Sequence, residues 1–282
     1  MTLAFAPKSL AEAREALSKG ATRVAGATDL LVIDHATSRE HASVLSVLGI
    51  AELQGIRVEG DTLSIGAACT FTQIRRSEDV ARHARLLVDA AATIGAAQIQ
   101  NRATLGGNIA NASPAGDSLP ALLTLGALLV IAGPHGERTV PYNNFHTGYR
   151  QTVLGADELI ARVLLPLPSP AVQVFRKVGT RAAQAISKVV VAFASDAPSH
   201  PVLDNVRLAM GSVAATPIRL HEVEALIEDE PLSADLADRA AALVEASITP
   251  IDDIRSTAEY RRAVAGKVVR RLLLDLLASR PV

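Results

Sequence analysis

The stretch Thr93 to Asp117, T-I-G-A-A-Q-I-Q-N-R-A-T-L-G-G-N-I-A-N-A-S-P-A-G-D, decides the reading. From Thr104 onward it holds small residues, adjacent glycines, two asparagines, hydroxyls and one carboxylate. Glycine tolerates positive φ and close backbone approach, and successive exposed amides make an anion-binding nest. No Lys or Arg lies between Ala103 and Asp117, so a phosphate here would depend on backbone amides and hydroxyls. The same Gly106-Gly107 pair also suits a plain polar loop between a helix and a strand.

A second stretch, Arg23, Val24, Ala25, Gly26, Ala27, Thr28, Asp29 and Leu30, reads as a short apolar strand running into a small-residue turn. Thr28 or Asp29 would cap a helix that starts at Leu30, and a helix entered through a glycine turn is a phosphate site. Two such bends suit a ligand with two phosphates. Neither matches a Walker A loop or a G-x-G-x-x-G dinucleotide turn.

These residues resemble a known family. A-G-A-T-D-L-L, then T-L-G-G-N-I-A-N-A-S-P-A-G-D, then F-R-K-V-G-T-R-A-A-Q-A-I-S-K (Phe175 to Lys188) and E-Y-R-R-A-V-A-G-K-V-V-R-R-L-L (Glu259 to Leu273) are similar to the FAD-binding medium subunits of molybdenum hydroxylases, the xanthine dehydrogenase and carbon monoxide dehydrogenase flavoprotein family. The likeness covers nearly the whole chain in order, except that Ala27 stands where the family has a second glycine. It implies an α+β fold: a PCMH-type FAD-binding domain over 1–168, made of two α/β subdomains (about 1–55 and 56–168), then a C-terminal domain of antiparallel sheet plus helices over 169–282.

The resemblance also implies roles. Arg23 to Leu30 and Thr104, Gly106, Gly107 and Asn108 would cradle the FAD pyrophosphate. Ser113 and Asp117 would reach the ribityl or ring portion. Ile94 and Ile160 would line the pocket, Ile160 through its backbone, and Ile186 would lie near the ring face. Lys177 would sit near the flavin ring, where a cation stabilises the anionic reduced form. From the residues alone, Asp117 reads equally well as an N-cap and Lys177 as a solvated strand residue. Arg102 reads as a possible phosphate partner that neither family pattern nor geometry settles. A valine at Gly107 is expected to abolish flavin retention with the fold intact.

The implied activity is that of an oxidoreductase subunit that transfers electrons. Substrate oxidation would occur on a molybdopterin-containing large subunit, and a [2Fe-2S] small subunit would relay electrons to FAD. The acceptor would be NAD, a quinone or oxygen. The alternatives are a self-sufficient FAD-dependent dehydrogenase or reductase, and a non-redox assembly subunit that has lost FAD.

Composition agrees and excludes. The 282 residues suit two domains, and 49% are hydrophobic with only 3% aromatic, so Ala, Val and Leu must fill the interior. A net charge of −1 without a polybasic run argues against a nucleic-acid partner. One cysteine, Cys69, permits neither an intrachain disulfide nor a self-contained four-cysteine iron–sulfur cluster. It reads as a small buried side chain. The N-terminus lacks a signal-peptide pattern, the longest uncharged run is broken by Pro and Gly, and a cytoplasmic protein with no membrane span is expected. The histidines at 35, 41, 83, 135, 146, 200 and 221 show no metal-ligand spacing and read as surface or loop residues. No G-x-S-x-G elbow is present.

Along the chain, Ser9 and Glu12 read as a capping box for a helix over Leu10 to Ser18, stopped at Gly20. Strands are expected at Val24-Ala25, Val44 to Leu48, Ile56 to Glu59, Thr62 to Ala67, Leu128 to Ala132 and Glu158 to Leu165. Helices are expected from Thr72, over Val80 to Ile94 and over Leu119 to Leu125. The prolines at 166, 168 and 170 mark the boundary. Strands at Gln173 to Val178, Ser187 to Ala194 and Val202 to Gly211 follow. Helices then run from Pro217 to Ile227, Ser233 to Ala246 and Ala258 to Leu277.

Overall fold

A computed structural model describes residues 2–196 and 202–279. Near the N-terminus a three-stranded parallel sheet, ordered β1-β3-β2, is built from β1 (Leu3–Phe5), β2 (Thr22–Val24) and β3 (Ser43–Ser46). Helices α1 (Leu10–Ser18) and α2 (Leu30–Thr37) supply the crossovers that parallel strands need. The α1 start follows from its sequence: Ser9 Oγ accepts from Glu12 N. The expected capping box is incomplete, because Glu12 Oε2 accepts from Lys8 N instead of Ser9 N. Gly20, at φ 75, follows the helix end in the left-handed region that glycine enters most easily.

The middle of the chain forms a five-stranded antiparallel sheet ordered β4-β5-β10-β6-β7. Its strands are β4 (Ile56–Glu59), β5 (Thr62–Gly66), β6 (Leu128–Gly133), β7 (Gly136–Pro141) and β10 (Leu159–Pro166). Six helices stand between β5 and β6: α3 (Phe71–Arg76), α4 (Glu78–His83), α5 (Arg85–Thr93), α6 (Ala97–Gln100), α7 (Leu105–Asn111) and α8 (Ser118–Thr124). A small hairpin, β8 (His146–Gly148) and β9 (Gln151–Thr152), follows β7. The last part is an antiparallel sheet ordered β11-β12-β13-β14, from β11 (Val172–Val178), β12 (Val189–Asp196), β13 (Asp204–Gly211) and β14 (Ile218–Arg219). Helices α9 (His221–Glu228), α10 (Ala234–Ser247) and α11 (Ala258–Ala278) complete it.

Alternation along two strands assigns the cores. On β12, Val190 and Ala192 face a core shared with α5 and α8, while Val189, Val191 and Phe193 face a second core under α9, α10 and α11. That is the two-residue period of a strand buried on both faces. On β10, Leu159 and Ala161 pack toward α1 and β3, while Ile160 faces the shared core. Register then shifts between Ile160 and Arg162, after which Val163 and Leu165 take the shared-core side. An extra residue re-aims every side chain beyond it.

Several expectations are corrected. The helix expected over Val80 to Ile94 is two helices, broken at Ala84 (φ −138, ψ 52). Gln173 of β11 replaces the missing helical bonds, accepting from Leu86 N at 3.1 Å and donating to His83 O at 3.4 Å. The stretch after Pro217 is first a two-residue strand beside β13, and its helix begins only at His221. β2 ends at Val24, so Ala25 already belongs to the bend. β7 and the β8–β9 hairpin lack the apolar alternation that would reveal them, because β7 is an edge strand of charged and polar residues.

Candidate functional site

The two bends meet. A Cβ built on Gly26 would lie 2.0 Å from the Arg102 carbonyl oxygen, and one on Gly107 would lie 3.5 Å from Ala25 Cβ. Only glycine lets the first bend approach the Arg102–Ala103 backbone this closely. Gly106 is equally confined on its other side, with a built Cβ 2.6 Å from Ala67 Cβ.

Their backbones do different things. The second bend is no loop: Leu105 to Asn111 is helix α7, Thr104 is its N-cap, and neither Gly106 nor Gly107 has positive φ. Its leading amides are engaged. Leu105 N donates to Cys69 O, Gly106 N to Ala67 O, Asn108 N to Thr104 O, and Gly107 N to Thr104 Oγ1 at 3.0 Å. This corrects the expectation that both bends offer open amides. The amides of Gly26, Ala27, Thr28, Asp29 and Leu30, by contrast, meet no protein acceptor among the described residues. Ala27 sits at φ 60, so the methyl that replaces the family's glycine stands at a left-handed position. Asp29 precedes α2 in an αR conformation without capping it.

Arg23 and Val24 hold the first bend from behind. Arg23 Nη1 donates to Gly155 O and Glu158 O, both at 2.8 Å, so its charge is turned away from the bend. Burial pushes the Arg23 guanidinium below its usual pKa, against the pull of Glu158 and Asp157. Val24 O accepts from Val47 N. Arg102 contributes its carbonyl beneath Gly26, while its side chain is exposed.

A second cluster lies around Asp117. Its carboxylate is buried, accepts from Lys177 Nζ at 2.6 Å and from Ser187 Oγ, and lies 3.4 Å from Thr93 Oγ1. Lys177 also donates to Thr93 O at 3.0 Å. Asp117 therefore makes no N-cap bond to α8, and Lys177 is not a solvated strand residue. Burial pushes the Asp117 carboxyl above the usual carboxylate range, although Lys177 and the hydroxyls pull it down. Ile94 caps the end of α5 beside Thr93, and its carbonyl accepts from the buried Gln100 side chain. Ile186 precedes Ser187 and is 52% exposed, leaving an apolar face beside the carboxylate. Over Asp89, Thr93, Phe175 and Lys177 a cleft of about 320 Å³ opens to solvent.

Asn108 joins the two halves. Its Oδ1 accepts from Ser118 Oγ at 2.7 Å, and Ser118 directly follows Asp117. Ser113 turns the intervening chain, its Oγ accepting from Ala115 N. Ile160 does not join the cluster: its side chain is buried in the shared core. Backbone bonds link its strand to the second bend, from Ala67 N to Ala161 O and from Gly106 N to Ala67 O.

Thr93, Ser187 and Gln100 join the site although the sequence alone assigns them no role. All three stand inside stretches already singled out, but what each bonds carries no signal in its own letters. Cys69 is buried as expected, donates to Gly55 O, and burial raises its thiol pKa. Among the histidines, His41 bonds Asp34 and Thr22, and His146 bonds Tyr142, so these two are built into the structure. His200 lies outside the described residues. No group of three or more metal-ligating side chains occurs among the described residues, nor is any described helix long and apolar enough to cross a membrane.

Comparison with known proteins gives two family matches. Residues 2–168 match the FAD binding domain in molybdopterin dehydrogenase, and residues 174–276 match the CO dehydrogenase flavoprotein C-terminal domain. The xanthine dehydrogenase FAD-binding subunit of Escherichia coli O157:H7 is 33% identical over 265 residues, 91% of this chain and 88% of that protein. The carbon monoxide dehydrogenase medium chain of Hydrogenophaga pseudoflava is 30% identical over 95% of this chain and 94% of its own length. A solved carbon monoxide dehydrogenase from the same organism superposes with a TM-score of 0.93 at 29% identity, covering 99% of this chain and 98% of that one.

Proposed function

Because this chain belongs to the FAD-binding subunits of the xanthine and carbon monoxide dehydrogenase family, we propose that it passes electrons from a partner [2Fe-2S] chain to an external acceptor such as NAD or a quinone. A molybdopterin-containing chain would oxidise the substrate upstream. The chain is an oxidoreductase subunit and FAD is its cofactor. FAD supplies chemistry that handles both one- and two-electron steps.

One observation carries the reading: two side-chain-poor bends converge, and the first leaves a run of amides unengaged. Such a run at a helix start donates to phosphate oxygens. In this reading Gly26 to Leu30 donate to the diphosphate, while Thr104, Gly106, Gly107 and Asn108 form a wall thin enough to admit it. Arg23 and Val24 brace that bend. Ser113 and Asp117 hold the polar side of the ring system, Ile94 and Ile186 supply apolar faces, and Ile160 supports from below. Lys177 holds Asp117 in place at 2.6 Å and offsets part of its burial, and so acts on the ring through that carboxyl.

The single cysteine cannot itself ligate a four-cysteine cluster, which supports a separate iron–sulfur partner. We place the chain in the cytoplasm, where one buried free thiol is stable. We also divide it at residue 168, a division supported by family matches that end at 168 and resume at 174.

Purification from the native source with flavin, iron and molybdenum assays tests this. The expected preparation absorbs near ~450 nm, the region of oxidised flavin, and carries chains with iron and molybdenum. A chain that turns over substrate alone would replace the relay with a self-sufficient dehydrogenase. A native preparation without flavin would favour an assembly role.

A further inference from the structure

Arg150 stands at the tip of the β8–β9 hairpin, where only Tyr149 and Arg150 join Gly148 to Gln151. Its φ is 53, a left-handed conformation that this turn position reserves for glycine. Strain of that kind persists where something else requires the side chain. Here the guanidinium has two partners. Nη1 donates to Asn111 Oδ1 at 3.0 Å and lies 3.6 Å from Asp29 Oδ2. Asp29 belongs to the first bend and precedes α2; Asn111 is the last residue of α7. One side chain therefore ties the first bend to the far end of the helix that the second bend begins.

The span matters because α2 buries no residue fully. Polar ties hold it instead: His41 on Asp34 toward its far end, and Arg150 on Asp29 at its start. We infer that Arg150 is a positioning residue, a clasp between the first bend and the end of α7 that sets how fast the bound dinucleotide leaves. This rests on the FAD reading above. With the clasp closed, the amides of Gly26 to Leu30 stay aimed at the diphosphate; with it open, α2 swings and the donors lose their common target.

Glycine at this position separates the clasp from a merely structural role, because it relieves the turn while removing the guanidinium. In the FAD-loaded full chain, Arg150→Gly is expected to release FAD about threefold faster, the loss of an exposed ion pair to Asp29. The melting temperature of its FAD-free form is expected to hold or rise. Arg150→Lys, which keeps the charge, is expected to fall between. Adding Asp29→Asn to Arg150→Gly should change the rate little, since the Arg150–Asp29 contact is already gone. Release at the wild-type rate from Arg150→Gly would overturn the clasp alone. So would faster release accompanied by a fallen FAD-free melting temperature, or fully additive effects in the double variant. A wild-type chain that takes up no FAD would overturn both the clasp and the reading beneath it.

Discussion

The two bends read alike in sequence and are put to different uses. Gly26 to Leu30 is a true bend with unengaged amides and a left-handed alanine, whereas Thr104 to Asn108 is a capped helix start whose amides are already bonded within the protein. Small residues serve backbone donation in the first and thinness in the second. A run of Gly, Ala and Thr thus says that something approaches closely; it does not say which backbone groups the visitor will find free.

That contrast can be broken at its narrowest point. Gly26→Ala puts a methyl 2.0 Å from a carbonyl oxygen that no rotamer can move, so the bends must part. The expected cost is about 3 kcal/mol with loss of FAD, read from urea unfolding and flavin content. Retained FAD at normal stability would mean that the bends need not touch.

The hairpin that carries Arg150 offers a pH handle. Burial holds His146 neutral, lowering its pKa from 6.5 to about 4. The unfolded chain takes up a proton below 6.5 and the folded one does not until about 4, so stability is full above 6.5 and drains as pH falls. A loss of about 2 kcal/mol by pH 4 is expected after allowing for partial exposure. His146→Gln should flatten denaturation curves across that window, and an unchanged slope would assign the acid sensitivity to another group.

Gly107→Val tests the thin wall. Its added carbon meets Thr104 Oγ1 at 2.9 Å, a side chain that can turn, at the price of the cap. About 1 kcal/mol of stability should go, while FAD retention disappears; normal flavin occupancy would argue against the diphosphate lying there. Smallest of all, Ala27→Gly relieves a left-handed alanine and should raise stability, read from urea unfolding, by under ~1 kcal/mol once the freer unfolded chain is counted. A fall would mean that the methyl packs usefully.

Much of this was legible. Ser9, Gly20, the Ile56 to Gly66 hairpin and the long C-terminal helices follow from caps, turns and periodicity. The helix break at Ala84 was hidden because its cause, Gln173, lies far along the chain. Asp117 read equally as an N-cap because its true partners, Lys177 and Ser187, come from strand β11 and the chain just before β12. β7 leaves no local signal because a charged edge strand carries no apolar alternation. Local chemistry writes itself into neighbouring letters; long-range satisfaction of polar groups does not.

Gln173 and the shared core have one more implication. Phe175, Val190, Ala192 and Ala209, all beyond the prolines at 166, 168 and 170, pack among side chains from before them. A protease that nicked the backbone within that proline cluster would therefore yield two fragments that stay together, and only a denaturant would show that the cut had been made.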